Sequence, residues 1–243
     1  MPLPTSFLEH LRQEGYHPRS NKHSNALGIA IVADLVENCP PLANFAQRGL
    51  VVYQLNFDLV YSTSTWNVDV VIGRPPPGFP APEPAAVPRI AAADPSDVQV
   101  AIELKAVMTE HRKAAKNRKR DLEAHHEHVH NYNPKAIAAG VMLVNIASRF
   151  RSPTRPPGEV TVHRDPIDKA DHCITELRNV SLRGGPTGYG LDAKTAIVVN
   201  MDNIDASRTT YWEAAPAPKV GDPIQYDAFI QRICSEYGDR FVE

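Results

Sequence analysis

Val98-Gln99-Val100-Ala101-Ile102-Glu103-Leu104-Lys105-Ala106-Val107-Met108 is the stretch whose reading decides the fold. Its apolar, β-branched composition predicts a strand buried on both faces. Side chains two apart on a strand share a face, so Glu103 and Lys105 project side by side while Ile102 and Leu104 face the other way. Ionisable groups in such a strand are costly unless paired, hydrated or metal-bound. The alternative is an edge-strand Glu–Lys pair facing solvent. The apolar residues on both sides of Glu103 argue against it.

Working outward, Leu50–Tyr61 alternates as a strand, and Trp66–Gly73 is a second strand with Asp69 inside it. Pro4–Glu14 and Ser24–Asn38 read as helices, the latter with Leu27, Ile31 and Leu35 on one face and a stop at Pro40-Pro41. A long polar helix follows over Thr109–His130, then a buried strand over Ala136–Ala147. Pro166–Val180 (helix), Thr195–Met201 (strand) and Tyr226–Tyr237 (helix) close the chain. Three successive strands followed by alternation predict an α/β fold with a central mixed β-sheet flanked by helices.

Eight of the 22 prolines lie between Arg74 and Pro95. Residues 74–97 therefore read as an extended insertion, partly polyproline II, between neighbouring strands. The whole chain, 1–243, reads as a single domain with its core at about 20–150 and an α/β extension over 151–243. A hydrophobic content of 42% and a charged content of 22% exclude disorder for the chain as a whole. Ala26–Ala33, the longest apolar run, is broken at once by Asp34, so no membrane span is expected. Met1-Pro2-Leu3-Pro4-Thr5 lacks the start of a signal peptide, and Cys39, Cys173 and Cys234 are expected to be small apolar residues. A reducing cytoplasm is the expected location. The net charge of −2 argues against wholesale electrostatic binding of nucleic acid but leaves room for a local basic patch.

If the Asp69 and Glu103 strands are neighbours, two carboxylates and an ammonium meet at one spot. Hard carboxylate oxygens with open water positions suit Mg²⁺, which polarises a phosphate and activates a water. An acid on one strand, Glu-x-Lys on the next, then a helix and a buried strand resembles the PD-(D/E)XK nuclease superfamily, which includes the restriction endonucleases. The matching residues are Asp69, Glu103 and Lys105. Two departures are Val68 in place of Pro before Asp69, and the 33 residues between the two acids. The resemblance implies a restriction-endonuclease-like core and a Mg²⁺-dependent endonuclease, Mn²⁺ being able to substitute, that acts on DNA in restriction or phage defence. It further implies Asp69, Glu103 and the Leu104 carbonyl as metal ligands and Lys105 as the group that orients water or stabilises developing charge. The family often adds an acid from the first helix, for which Asp34 and Glu37 are candidates. A double-strand break needs two such sites, so a homodimer is expected.

Arg112, Lys113, Lys116, Arg118, Lys119 and Arg120 fall within ten residues that hold no acid. Beside a phosphodiesterase site they are expected to contact the nucleic-acid backbone. The same helix contains His126-Glu127-His128-Val129-His130, which matches H-E-x-x-H and carries an alternative reading as a zinc hydrolase. A polar helix with partly protonated histidines is the blander reading. A non-catalytic nucleic-acid-binding module is a third. In the remaining half, Gly184-Gly185-Pro186-Thr187-Gly188 is a Gly-rich loop without the Lys-Ser/Thr ending of a P-loop.

Overall fold

The computed structural model describes residues 1–80, 89–156, 158–185 and 187–242. Its elements are α1 (Thr5–Glu14), α2 (Lys22–Asn38), α3 (Pro40–Gln47), β1 (Val52–Tyr61), β2 (Ser64–Gly73), β3 (Ala91–Ala92), β4 (Val100–Val107), α4 (His111–Tyr132), β5 (Ile137–Asn145), β6 (Arg149–Phe150), β7 (Thr161–Val162), α5 (Pro166–Arg178), β8 (Ala193–Asn200), β9 (Thr210–Tyr211) and α6 (Tyr226–Phe241). Seven strands form one mixed sheet in the order β3-β1-β2-β4-β5-β8-β9, and β6 pairs with β7 separately. β2 runs antiparallel to both β1 and β4, whereas β4, β5 and β8 are parallel. Residues beyond 150 thus extend the same sheet through β8.

Both sheet faces are covered, which is why β4 and β5 read as apolar runs and not as alternations. On one side Phe7, Ile31, Leu35, Leu42 and Phe229 join Val70, Ile102 and Leu104 in a core built by α1, α2, α3 and α6. On the other, Leu122, Val129 and Ile174 join Val71, Ala101 and Met142 in a core built by α4 and α5. Close approach is set by two glycines. A Cβ on Gly28 would lie 2.5 Å from Val70 Cγ2, so α2 sits directly on β2. A Cβ on Gly140 would lie 2.8 Å from Leu122 Cδ2, so α4 sits directly on β5.

Three expectations need correction. Pro40-Pro41 ends α2 but also begins α3, at an angle of 100° to it, because proline suits the first turn of a helix. The long helix begins at His111 from a left-handed Glu110 (φ 51°), not from a Thr109 cap. Cys39 and Cys234 are joined by a disulfide, with Cα atoms 5.2 Å apart across a sequence separation of 195. Cysteine spacing alone hid this pair, since α6 returns to lie against α2 and α3 only in the folded chain. Cys173 is buried and free, as expected. No single helix among the described residues is long and apolar enough to cross a membrane.

The insertion is closed at its base. Arg74 N–H donates to Asp97 Oδ1 (2.7 Å) and Ser96 N–H to Arg74 O (2.8 Å). Pro82, Pro84 and Pro88 of the expected extended loop lie outside the described residues.

Candidate active site

The β2–β4 ladder runs from Ile72↔Val100 to Val70↔Ile102 and stops there. One step further, Asp69 and Glu103 would face each other. Across Asp69 the facing of β2 also reverses: Val70 belongs to the core under α2, but Val68 to the core under α4. On β1 the opposing Asn56 takes a left-handed conformation (φ 52°) and drops out of the β1–β2 register. This break frees the Asp69 carboxylate to accept the Leu104 N–H at 2.7 Å. Burial pushes the Asp69 carboxyl up, while Lys105, the Leu104 N–H and the Ser24 hydroxyl pull it down.

Glu103 is 2% exposed, and its Oε1 is ion-paired with Lys105. Its Oε2 is buried without a hydrogen-bond partner and faces His125 Nδ1 at 3.7 Å. The Ala101 carbonyl can only accept, so the His125 proton sits on Nε2 (3.2 Å) and the unshared pair of Nδ1 points at Glu103. Burial holds His125 down to about 3, hence neutral. Burial raises Glu103 to about 7, a rise that Lys105 opposes and Asp69 reinforces. The three residues singled out in the sequence are thus brought together, Lys105 ion-paired with Glu103 and acting on Asp69 through its charge.

Asp69, Leu104 and Lys105 form the sheet-side wall of a cavity of about 190 Å³ lined also by Phe7, Tyr16 and Leu27. Glu103 lies behind Lys105, outside the lining. α2 contributes Ser24, not Asp34 or Glu37: Asp34 accepts a hydrogen bond from Tyr226 Oη at 2.6 Å, and Glu37 is exposed. Ser24 lies one turn before Gly28, on the face that Gly28 seats against β2. His23 also lines the cavity. Its Nε2 accepts the His17 N–H (2.8 Å), so its proton is on Nδ1 and donates to His10 Nε2 (3.1 Å). Burial and the neighbouring His10 and His17 hold His23 down to about 4.

Of the six cations on α4, only Arg118 lines the cavity, paired there with Asp121 at 2.8 Å. Lys119 is paired with Glu123, and Arg112 lies 3.9 Å from Asp168. Lys113, Lys116 and Arg120 are exposed and make no ion pair among the described residues. Two of the histidines at the end of α4 depart from a solvated, partly protonated helix face. His125 and His126 are buried, and burial lowers both. His130 Nε2 lies 3.1 Å from Asp192 Oδ2, and Glu127 accepts the Tyr189 hydroxyl at 3.0 Å. No group of three His, Cys, Asp or Glu arranged to hold a metal ion occurs among the described residues. The zinc reading therefore lacks a third ligand, and a cation at Asp69 and Glu103 needs backbone and water oxygens to complete its shell.

Compared with family models, curated proteins and solved structures, the chain finds no match.

Proposed function

We propose that this chain is a Mg²⁺-dependent nuclease that hydrolyses phosphodiester bonds in DNA. The observation that carries the reading is the break in the β2–β4 ladder, where Asp69 and Lys105 line a cavity and the buried Glu103 is ion-paired with Lys105. A hard divalent cation fits this donor set. Burial raises both carboxyls, and one Glu103 oxygen is buried without a hydrogen-bond partner. Asp69 and Glu103 would hold Mg²⁺ or Mn²⁺ with the Leu104 carbonyl, water filling the remaining positions. The bound ion would supply Lewis-acid polarisation of the phosphate. Lys105, 20% exposed at the cavity wall, holds a positive charge where the pentacoordinate phosphorus gains negative charge. Arg118 adds a second cation from α4. A role in restriction or phage defence draws its support from the superfamily resemblance.

The test is cleavage of supercoiled plasmid and of single-stranded circular DNA, with Mg²⁺ and with EDTA. Cleavage that requires Mg²⁺ and disappears in Asp69→Ala supports the reading. Retention of DNA without cleavage would support a binding module instead.

A further inference from the structure

The active-site cavity does not end at Tyr16. A second cavity, of about 510 Å³, lies against the same residue and is lined by His17, Arg151, Arg155 and Asn203. We infer that the two cavities, which meet at Tyr16, form one channel for a single strand of nucleic acid, DNA or RNA, and not for a duplex. This inference rests on the nuclease reading only for which phosphate is cut, not for where the strand lies.

Three observations carry it. First, the reacting groups are recessed. Glu103 is 2% exposed and Lys105 20%, behind a wall formed by α1 and the turn into α2. A duplex presents its phosphates on the outside of a broad cylinder with its bases stacked within. A single strand is thin, and its base and phosphate can enter separate subsites.

Second, that wall is pinned. Tyr16 N–H donates to Asn203 Oδ1 (2.8 Å), and Asn203 Nδ2 donates to Tyr16 O (3.0 Å) and to Arg151 O (2.9 Å). Three loops distant in sequence are thereby tied at one amide. The Tyr16 ring stacks on His23, with centroids 4.9 Å apart, and meets Phe150 edge-on at 6.3 Å. Tyr16 is thereby held in place where the two cavities meet.

Third, both cavities hold cations. Lys105 and Arg118 stand in the first cavity beside Leu27 and Leu143, and Arg151 and Arg155 stand in the second. The acid in the second cavity, Glu14, is paired with Lys22 at 3.0 Å, and Arg155 is paired with Glu159. The exposed Arg151 side chain makes no ion pair among the described residues. The scissile phosphate then sits at Lys105, its base lies against the apolar wall, and a neighbouring phosphate lies at Arg151.

The experiment is fluorescence anisotropy in EDTA with the full chain, using labelled oligo(dT) and oligo(U) of about 16 nucleotides and a mixed-sequence DNA duplex of equal length. Oligo(dT) or oligo(U) should bind at least about tenfold more tightly than the duplex. Arg151→Glu should weaken strand binding by about tenfold and Arg151→Lys by much less, as expected for a phosphate contact. An unchanged circular-dichroism melt shows that Arg151→Glu is folded, and Arg155→Glu serves as the second variant if it is not. Duplex binding as tight as strand binding, no binding of any probe, or indifference to both charge reversals overturns the inference. Strand binding without Mg²⁺-dependent cleavage leaves the channel standing and removes the nuclease reading.

Discussion

Lys105 acts on both acids of the candidate site: it is paired with Glu103, and its charge pulls Asp69 down. Lys105→Met should lower cleavage by roughly 10²–10³-fold, the usual effect of removing one charge-stabilising donor. Asp69→Ala and Glu103→Ala should abolish it while leaving binding of nucleic acid intact; initial rates with Mg²⁺ beside anisotropy in EDTA check both. His23 offers a separate test by pH. Its folded-state value, about 4, lies below the 6.5 of an exposed imidazole, so the folded protein excludes a proton that the unfolded chain accepts. That contribution is complete above pH 6.5 and is lost as pH falls towards 4. Urea midpoints measured across this window should fall, and should fall less in His23→Gln. Asp69, Glu103 and Lys105 were legible because a two-residue period inside an apolar run marks which charges share a face. Ser24, Tyr16 and His125 were not, since each reaches the site from a helix or turn whose seat depends on a distant contact.

α2 is positioned by what it lacks. Gly28→Val would drive its side chain into Val70 and lift the helix from β2, carrying Ser24 away from Asp69. A loss of about 3 kcal/mol is expected by denaturant titration, with a fall in cleavage. The far end of the same helix is tied to α6 by Cys39–Cys234. Cys39→Ser should cost about 2–5 kcal/mol under oxidising conditions and almost nothing in excess reductant. Differential unfolding with and without reductant reads this directly. Helices and long strands were legible because their hydrophobic periods are long. α3 was not, because a Pro-Pro pair marks a helix start as readily as a stop, and the two-residue strands β3, β6, β7 and β9 carry too few residues to show a period.

Binary pattern made the mixed sheet and its helical cover readable across the whole molecule, because burial of a strand on both faces leaves a continuous apolar run. The disulfide and the Asn203 clamp were unreadable, since each joins residues that meet only after the chain has folded. The channel also bears on assembly. A double-strand cut calls for a homodimer with two sites, but a single strand needs one Asp69/Glu103/Lys105 set. The expected outcome is therefore a monomer in light scattering, with cleavage of single strands rising in proportion to protein concentration; a second-order dependence would point back to the dimer. One last feature concerns the insertion between β2 and β4. Because Arg74, Ser96 and Asp97 tie its two ends together, its length is decoupled from the register of the strands it joins. The stem is a natural graft point: a reporter peptide or an affinity handle spliced in just after Arg74, ahead of the edge strand β3, would leave β2 and β4 in alignment.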